Sequence, residues 1–228
     1  MNYSYYLFDL DNCLLNIPNP SEHFDKVLVE TIKKLNLALL PERNDRNKFW
    51  FSGGKYVDLL RKWGIDNTND FWLHFDEADY ELRKLLLEKK ELNLYDDVME
   101  VLNLLKNKCN KLAIISNAAN YIVEFIVKKF KIDHYFDIIF GLGYDKDQSM
   151  AKPSPQGILK VLQNMNFNQN NNIALMVGDS KLDIYAAKRA NIFACLIKRE
   201  LTKYPDGCKD WDYKPDFTIN SLYEILDI

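Results

Sequence analysis

The stretch YYLFDLDNCLLN, residues 5–16, places two carboxylates directly after a short apolar run. Tyr5–Phe8 is predicted to be a buried β-strand, and Asp9 and Asp11 follow it with one residue between them. Residues i and i+2 of an extended chain point to the same face, so both carboxylates can flank one reacting group if the chain stays extended. A D-x-D pair alone is more often part of a turn or a surface, so the rest of the chain decides its meaning.

Five further apolar runs have the length of strands, at residues 111–117, 137–141, 173–179, 192–197 and 216–219. They are continuous rather than alternating, as in parallel strands that are covered on both faces. Apolar residues at helical spacing lie between them, in 98–105 and 158–165. Ser154 and Pro155 are a typical N-cap and first helical residue for the second of these helices. Alternating strands and helices predict βαβ units around a parallel sheet.

Residues 17–90 interrupt this alternation, since no convincing strand is found there. Amphipathic helices are predicted at residues 24–35, 54–65 and 71–90. A helical insert after the first strand is the simplest explanation, with a core domain of residues 1–16 and 91–228 and a helical domain of residues 17–90. Gly53 and Gly54 are read either as a hinge or specificity loop or as a plain turn between helices.

Composition and charge exclude several classes of protein. Of the 228 residues, 47% are hydrophobic and 28% are charged, which predicts a packed fold rather than disorder. The net charge of −3 argues against a general nucleic-acid binder, because affinity for phosphate backbones needs clustered Lys and Arg. The four cysteines form no C-x-x-C pair and the histidines are three, so no zinc site is expected. The absence of a signal peptide and of a long apolar run predicts a cytoplasmic protein without a membrane contact.

Polar and acidic residues end three of the predicted strands. Asp9 ends the first, Ser116 and Asn117 end the second, and Asp179 and Asp183 follow the fourth. Ligands of parallel α/β sheets collect at the carboxyl ends of strands, so these side chains converge if the strands are neighbours. Closely spaced carboxylates raise one another's pKa, and a hard divalent cation removes that conflict. Magnesium, which prefers oxygen ligands, is the predicted cofactor.

The same carboxylates can perform chemistry on a phosphate ester. One carboxylate of the D-x-D pair can attack as a nucleophile, as in enzymes that form an aspartyl-phosphate. The other can donate a proton to the leaving oxygen and then help to activate water.

Four motifs together resemble the haloacid dehalogenase-like (HAD) hydrolase superfamily, in the order in which that family has them. They are LFDLDNCL, IISNA, AKPSP and MVGDSKLDIYAAKRAN, and the similarity covers roughly residues 3–16 and 92–220. The resemblance implies a doubly wound, Rossmann-like α/β core. It also implies that the insert directly after the first motif is a helical cap domain, of the C1 subclass, that closes over the site.

The resemblance also implies roles for individual residues. Asp9 would be the nucleophile and Asp11 the general acid/base, while Lys152 would pair with the nucleophile and with the phosphate. Ser116 would hydrogen-bond the phosphoryl oxygens with help from Asn117.

Magnesium would be held by carboxylates from both ends of the chain. The implied metal ligands are Asp9, Asp11 through its backbone carbonyl, Asp179 and Asp183, the last directly or through water. The family commonly has Gly-Thr where this chain has Asn12 and Cys13, and Asn tolerates the left-handed backbone at such a position. Likewise, Asn191 replaces a glycine at the end of the fourth motif, which predicts a positive φ there.

Among the reactions of the family, phosphatase activity is predicted. Dehalogenases and phosphonatases lack the second acid of the first motif, so Asp11 argues against both. The expected enzyme hydrolyses a small phosphorylated metabolite, as phosphoglycolate phosphatases and nucleotidases do, and is a monomer or a homodimer. A hexose-phosphate phosphomutase and a catalytically silent binding protein of the same fold are the alternatives. Phosphoglycolate, a nucleoside monophosphate and a sugar phosphate all remain open as substrates.

Overall fold

The structure is a computed structural model that describes residues 3–35, 40–52, 55–108, 110–143, 148–199, 203–204 and 207–228. The chain divides into two compact units. The core unit comprises Met1–Asn16, Leu94–Leu142 and Lys146–Ile228, and the helical unit consists mainly of Ile17–Asn93. The function of the helical unit as a cap stays a prediction.

Strands and helices alternate along most of the core unit. In chain order the elements are β1 (Tyr5–Phe8), β2 (Leu15–Asn16), α1 (Pro20–Lys34), α2 (Arg43–Phe51), α3 (Tyr56–Lys62), α4 (Thr68–Glu88), β3 (Asn93–Leu94), α5 (Val98–Asn107), β4 (Lys111–Ala119), α6 (Asn120–Lys129), β5 (Ile138–Leu142), α7 (Gln156–Asn164), β6 (Ala174–Gly178), α8 (Lys181–Arg189), β7 (Phe193–Ile197) and β8 (Phe217–Ile219).

The central sheet of the core unit has six strands in the order β5-β4-β1-β6-β7-β8. Every described ladder between these strands is parallel. Each of the six apolar runs of the sequence forms one of these strands. The expected α/β fold with a parallel, Rossmann-like sheet is therefore confirmed.

The strand order has its switch point at β1. The chain moves from β1 to β4 and β5 on one side and then returns to β6, β7 and β8 on the other side. Ligands bind at such a point because the loops after the two central strands diverge and leave a crevice. The carboxyl ends of β4, β1 and β6 are consequently neighbours.

Both faces of the sheet are buried, as the continuous apolar runs predict. Leu7 and Met176 belong to a cluster that includes Ile158 of α7 and Ile184 of α8. The next residue of β1, Phe8, points to the opposite face and is also fully buried.

Helix α7 begins later than the sequence predicts. Its first residue is Gln156, its N-cap position is Pro155, and no side chain caps it. The Ser154 hydroxyl accepts a long hydrogen bond, 3.4 Å, from the backbone N–H of Gln156. The prediction of Ser154 as the N-cap is thus wrong by one residue, which is the usual uncertainty of a helix end.

The helical unit has an apolar cluster of its own. Aromatic residues dominate it, among them Phe49 of α2 and Phe71 and Phe75 of α4, which pack with Val27 and Leu28 of α1. Helix α2 is absent from the sequence-based expectation because six of its first seven residues are polar or charged. Gly53 and Gly54 lie outside the described residues.

None of the helices within the described ranges is sufficiently long and apolar to cross a membrane.

Candidate active site

The first motif places Asp9 at the end of β1. The backbone N–H of Asp9 donates to the carbonyl of Val177 at 2.9 Å, which continues the β1–β6 ladder by one residue. The chain then turns, because Asn12 has a φ of 56° and its N–H donates to the carbonyl of Leu15 at 2.7 Å. The predicted tolerance of Asn12 for left-handed backbone is confirmed, and Asn191 likewise has a φ of 57°.

Lys152 joins two of the predicted site residues. Its Nζ donates to Asp9 Oδ1 at 2.6 Å, to Asp183 Oδ1 at 2.6 Å and to the carbonyl of Ile115 at 2.9 Å. All three donors of the ammonium are therefore used, and the side chain is 5% exposed. Burial alone would lower the pKa of Lys152, but the carboxylates of Asp183 and Asp9 raise it, so the lysine stays charged.

Asp183 is fixed by the start of α8. Its Oδ2 accepts hydrogen bonds from the backbone N–H and the hydroxyl of Ser180, at 3.0 and 2.6 Å, which completes a capping box. Gly178 lies directly behind it, since a methyl group at that glycine would be 2.5 Å from Asp183 Oδ2. The carboxylate has no exposed surface and is held in one orientation.

Three carboxylates form a group that fits a metal ion. Asp9, Asp179 and Asp183 each offer an oxygen, and these atoms lie within 4.8 Å of one another. An all-oxygen set of buried carboxylates suits a hard divalent cation rather than zinc. Asp11 is not a member of this group; it is half-buried, and its backbone bridges to Leu15.

Burial and mutual repulsion raise the pKa values of carboxylates in this group. Burial raises the pKa of Asp9 well above its usual value; Lys152 opposes this shift, and Asp183 and Asp179 add to it. Burial likewise raises the pKa of Asp179 to about 6, against the opposing effect of Lys203. A divalent cation among these oxygens would favour their ionised forms.

Lys203 is a site residue that the sequence analysis missed. Its ammonium contacts Asp179 Oδ2, and about a third of the side chain is exposed. Burial would lower the pKa of Lys203, but Asp179 raises it overall. The lysine lies outside the four motifs, and no local pattern distinguishes it from a surface lysine.

Ser116 and Asn117 lie near the carboxyl end of β4, where its pairing with β5 becomes irregular. The register between β4 and β5 shifts between Ile115 and Ala119. The Ser116 hydroxyl is buried and accepts a hydrogen bond from the backbone N–H of Ala118 at 3.0 Å.

The Asn117 side chain holds the backbone of Lys152 on both sides. Its Nδ2 donates to the carbonyl of Lys152 at 3.0 Å, and its Oδ1 accepts from the N–H of Lys152 at 2.9 Å. Asn117 therefore positions the loop that carries the lysine, and its contact with a phosphoryl group stays a prediction.

Comparison with known proteins identifies the family of the chain. A family model described as haloacid dehalogenase-like hydrolase matches residues 6–197. A PpaX protein of Caldanaerobacter subterraneus subsp. tengcongensis is 32% identical over 133 residues, which is 58% of this chain and 57% of that protein. Pyrophosphatase PpaX of Listeria innocua is 27% identical over 228 residues, covering 97% of this chain and 94% of that protein.

The fold has close counterparts among solved structures. CbbY from Rhodobacter sphaeroides, in complex with phosphate, superposes with a TM-score of 0.70 and 18% identity, covering 98% of this chain and 96% of that one. The family model spans the core unit and the insert together, from β1 to the end of β7. The chain belongs to the haloacid dehalogenase-like hydrolase family.

Proposed function

We propose that this protein is a magnesium-dependent phosphatase that hydrolyses a small phosphate ester through an aspartyl-phosphate on Asp9. The observation that supports this most directly is the pair of 2.6 Å contacts from Lys152 Nζ to Asp9 and Asp183. They place one buried cation beside the proposed nucleophile and beside the group of three carboxylates. These contacts lie at the switch point of the sheet, where ligands of parallel α/β sheets bind.

In the first step, an oxygen of Asp9 attacks phosphorus and the bond from phosphorus to the leaving oxygen breaks. Asp11 gives its proton to that oxygen, so that an alcohol leaves. Lys152, charged and fixed by Ile115 and Asp183, offsets the negative charge that grows on the phosphoryl oxygens. Ser116 is proposed to hydrogen-bond the same oxygens.

In the second step, water attacks the phosphorus of the aspartyl-phosphate. Asp11, now ionised, accepts a proton from that water, and the bond between phosphorus and Asp9 breaks. Inorganic phosphate leaves, and the carboxylate of Asp9 and the protonated Asp11 are restored.

Asp9, Asp179 and Asp183 would hold the magnesium ion, with the backbone carbonyl of Asp11 as the further ligand that the family resemblance implies. When bound, the ion would supply positive charge that lets a phosphate dianion approach these three carboxylates. The fit rests on the donor set, which consists of oxygens only.

The substrate is proposed to be a small phosphorylated metabolite, with the helical unit as a cap over it. PpaX of Listeria innocua is named a pyrophosphatase, so inorganic pyrophosphate is a second candidate substrate for this chain. The cytoplasmic location, the monomeric or homodimeric state and the absence of nucleic-acid and membrane partners stay predictions.

The decisive experiment is phosphate release from a panel of phosphate esters and inorganic pyrophosphate, with magnesium or with EDTA. Wild type should turn over in magnesium only, and Asp9→Asn should release no phosphate while it keeps its fold. Asp133→Asn, which changes an exposed carboxylate in a short 3₁₀ helix, is the matched control and should behave as wild type. After acid quench, mass spectrometry should find 80 Da, the mass of one added phosphoryl group, on the peptide that contains Asp9.

Other outcomes would redirect the assignment. Phosphate release that survives Asp9→Asn would place the nucleophile elsewhere. Interconversion of hexose phosphates without phosphate release would favour the phosphomutase. Magnesium binding without any turnover would favour a silent binding protein.

A further inference from the structure

A buried arginine, Arg199, is hydrogen-bonded to the loop that follows the D-x-D pair. Arg199 Nε and Nη2 both donate to the backbone carbonyl of Cys13, at 3.1 and 2.9 Å. Cys13 is two residues beyond Asp11, and Arg199 follows β7 on another part of the chain. The arginine thus connects the first motif to a distant segment of the core unit.

The guanidinium is itself held in a fixed orientation. Nη1 and Nη2 donate to the two oxygens of Asp97, each at 2.7 Å, and Cζ of Arg199 lies over the ring of Tyr95, 4.0 Å from its centre. The side chains of Arg199 and Asp97 are 7% and 9% exposed. Bidentate pairing and stacking on an aromatic ring both require the planar fork of arginine.

Asp97 is anchored in turn by the end of the chain. Its Oδ2 accepts from the hydroxyl of Ser221 at 2.9 Å and from the N–H of Leu222 at 2.8 Å. Burial would raise the pKa of Asp97, but the hydrogen bonds from Arg199 and Leu222 lower it, so the carboxylate stays ionised. The side chain of Arg199 is therefore fixed by its ion pair with Asp97, which is itself hydrogen-bonded to Ser221 and Leu222.

The loop that Arg199 contacts is a short turn, and backbone hydrogen bonds within the turn stabilise it. The N–H groups of Leu14 and Leu15 donate to the carbonyl of Leu10, at 3.0 and 2.9 Å, and Asp11 lies inside this turn. The thiol of Cys13 is buried and donates to the carbonyl of Val177 at 3.6 Å. Cys13 is thus held at its side chain by β6 and at its carbonyl by Arg199.

We propose that Arg199 is a positioning residue that fixes the turn around Asp11, so that the carboxyl of Asp11 stays aimed at the leaving oxygen. This inference rests on the proposed function, since it assigns Arg199 to the proton-transfer step of that reaction. Without Arg199, the turn loses two hydrogen bonds to the carbonyl of Cys13, and Asp11 spends less time within reach of the ester oxygen.

The first test reads the loop directly and needs no substrate. Arg199→Lys keeps the charge but cannot donate twice to a carboxylate and twice to a carbonyl. Hydrogen–deuterium exchange of the amides of Leu14 and Leu15 should become at least about fivefold faster than in wild type, because their bonds to Leu10 open more often. Lys188→Met, which removes a pair with Asp216 at the surface of α8, is the control and should leave these amides unchanged.

The second test separates positioning from general damage. An alkyl phosphate needs protonation of its leaving oxygen, whereas p-nitrophenyl phosphate needs little. For Arg199→Lys, kcat on the best alkyl ester of the panel should fall at least about tenfold, and kcat on p-nitrophenyl phosphate less than about threefold, because the lost interaction serves acid catalysis. KM for both esters should change little, since Arg199 does not touch the substrate in this proposal.

Asp97→Asn is a second variant that tests the same proposal if Arg199→Lys fails to fold. Asp97→Asn leaves Arg199 in place but removes its charge partner, and it should show the same selective loss in weaker form. Equal losses on both esters, or unchanged exchange at Leu14 and Leu15, would overturn the proposal. If wild type releases no phosphate from any ester, the proposed function fails, while the exchange measurement still decides whether Arg199 holds the loop.

Discussion

At the scale of single residues, charge balance shapes the candidate site. Asp9, Asp179 and Asp183 bring three carboxylates together, and Lys152 and Lys203 bring two ammonium groups to them. Removing one partner of a buried ion pair is strongly destabilising, because the other charge is left without compensation. Lys152 opposes the rise that burial causes in the pKa of Asp9, and Lys203 opposes the corresponding rise in the pKa of Asp179.

Lys152→Met tests this balance. In EDTA the free energy of unfolding should fall by about 3 kcal/mol, because Asp183 loses the partner of a fully buried carboxylate. Magnesium should recover part of this loss, since a divalent cation compensates the same oxygens. Urea unfolding in EDTA and in magnesium measures both effects.

The control for this prediction is Lys188→Met. Its partner Asp216 is about a quarter exposed, so the loss should stay below about 1 kcal/mol and should not respond to magnesium. Equal losses for the two lysines would show that Lys152 is not the counter-ion of the carboxylate group.

Gly178→Ala tests whether the side chain of Asp183 can move away from its close contact with Gly178. The added methyl group would lie 2.5 Å from Asp183 Oδ2, and the buried carboxylate has no room to move away. The variant should lose about 1–3 kcal/mol of unfolding free energy, as overpacked cores do, and bind magnesium more weakly by calorimetry. In an Asp183→Gly background, which removes all three atoms of Asp183 that the methyl group would meet, the same substitution should cost much less, whereas additive losses would contradict the clash.

Most charged residues of the site could be identified from the sequence, but the contacts between them could not. Asp9, Lys152, Asp179 and Asp183 lie in motifs, and the structure places all four side chains together. Lys203 was missed, because its approach to Asp179 depends on tertiary structure that no short spacing encodes.

At the scale of elements, one carboxylate ties three segments together. Asp137, just before β5, accepts hydrogen bonds from Lys106 of α5 at 2.8 Å, from Lys111 of β4 at 2.8 Å and from the N–H of Leu112 at 3.0 Å. Burial would raise the pKa of Asp137, but these donors hold it at about 2. The carboxylate thus fixes the start of β5 against the neighbouring strand.

The lowered pKa has a defined consequence for stability. The pKa of an unfolded Asp is about 3.9, so the contribution of Asp137 is complete above that pH and is lost as the pH falls through about 2. The residue is partly exposed, and screening reduces the contribution to about 1 kcal/mol. Asp137→Asn should be less stable than wild type by that amount at pH 7, and the difference should shrink towards pH 2.

Urea unfolding at pH 7, 4 and 2.5 checks this dependence. Asp133→Asn, four residues earlier and exposed, should show no such pH-dependent difference. A difference between Asp137→Asn and wild type that is the same at pH 7 and 2.5 would mean that ionisation of Asp137 is not its source.

Element prediction succeeds where apolar periodicity is strong. All six strands of the sheet follow from continuous apolar runs, and α4 follows from its helical spacing. Helix α2 fails this criterion because its apolar residues are confined to Phe49, Trp50 and Phe51 at its end. Its position depends on the packing of Phe49 with Phe71, which is a contact between distant parts of the chain.

At the scale of the whole molecule, the chain consists of two units with separate apolar clusters. The core-unit cluster draws on the sheet with α7 and α8, and the helical-unit cluster draws on α1 to α4. The sequence predicted an insert because the alternation of strands and helices stops after residue 16 and resumes near residue 91. Its substrate specificity could not be predicted, since motifs describe the reacting groups and not the surface that selects a metabolite.

The core unit should therefore fold without the insert. The chain leaves the core unit after Asn16 and returns at Leu94, and the N–H of Tyr95 donates to the carbonyl of Leu14 at 3.1 Å. A short Gly/Ser linker in place of residues 17–93 can join these ends without strain, because they already meet. The charged residues assigned to the site all remain, namely Asp9, Asp11, Lys152, Asp179, Asp183 and Lys203.

The shortened protein should unfold cooperatively in circular dichroism, and magnesium should stabilise it and wild type to the same extent, since ligand binding to the native state raises its stability. Lys152→Met in the same shortened chain should again lose stability in EDTA. A shortened chain that shows no cooperative transition, or that folds but gains nothing from magnesium, would mean that the helical unit contributes to the core or to the metal site itself. Cooperative unfolding with a magnesium response would show that the core unit folds and forms the metal site without the insert.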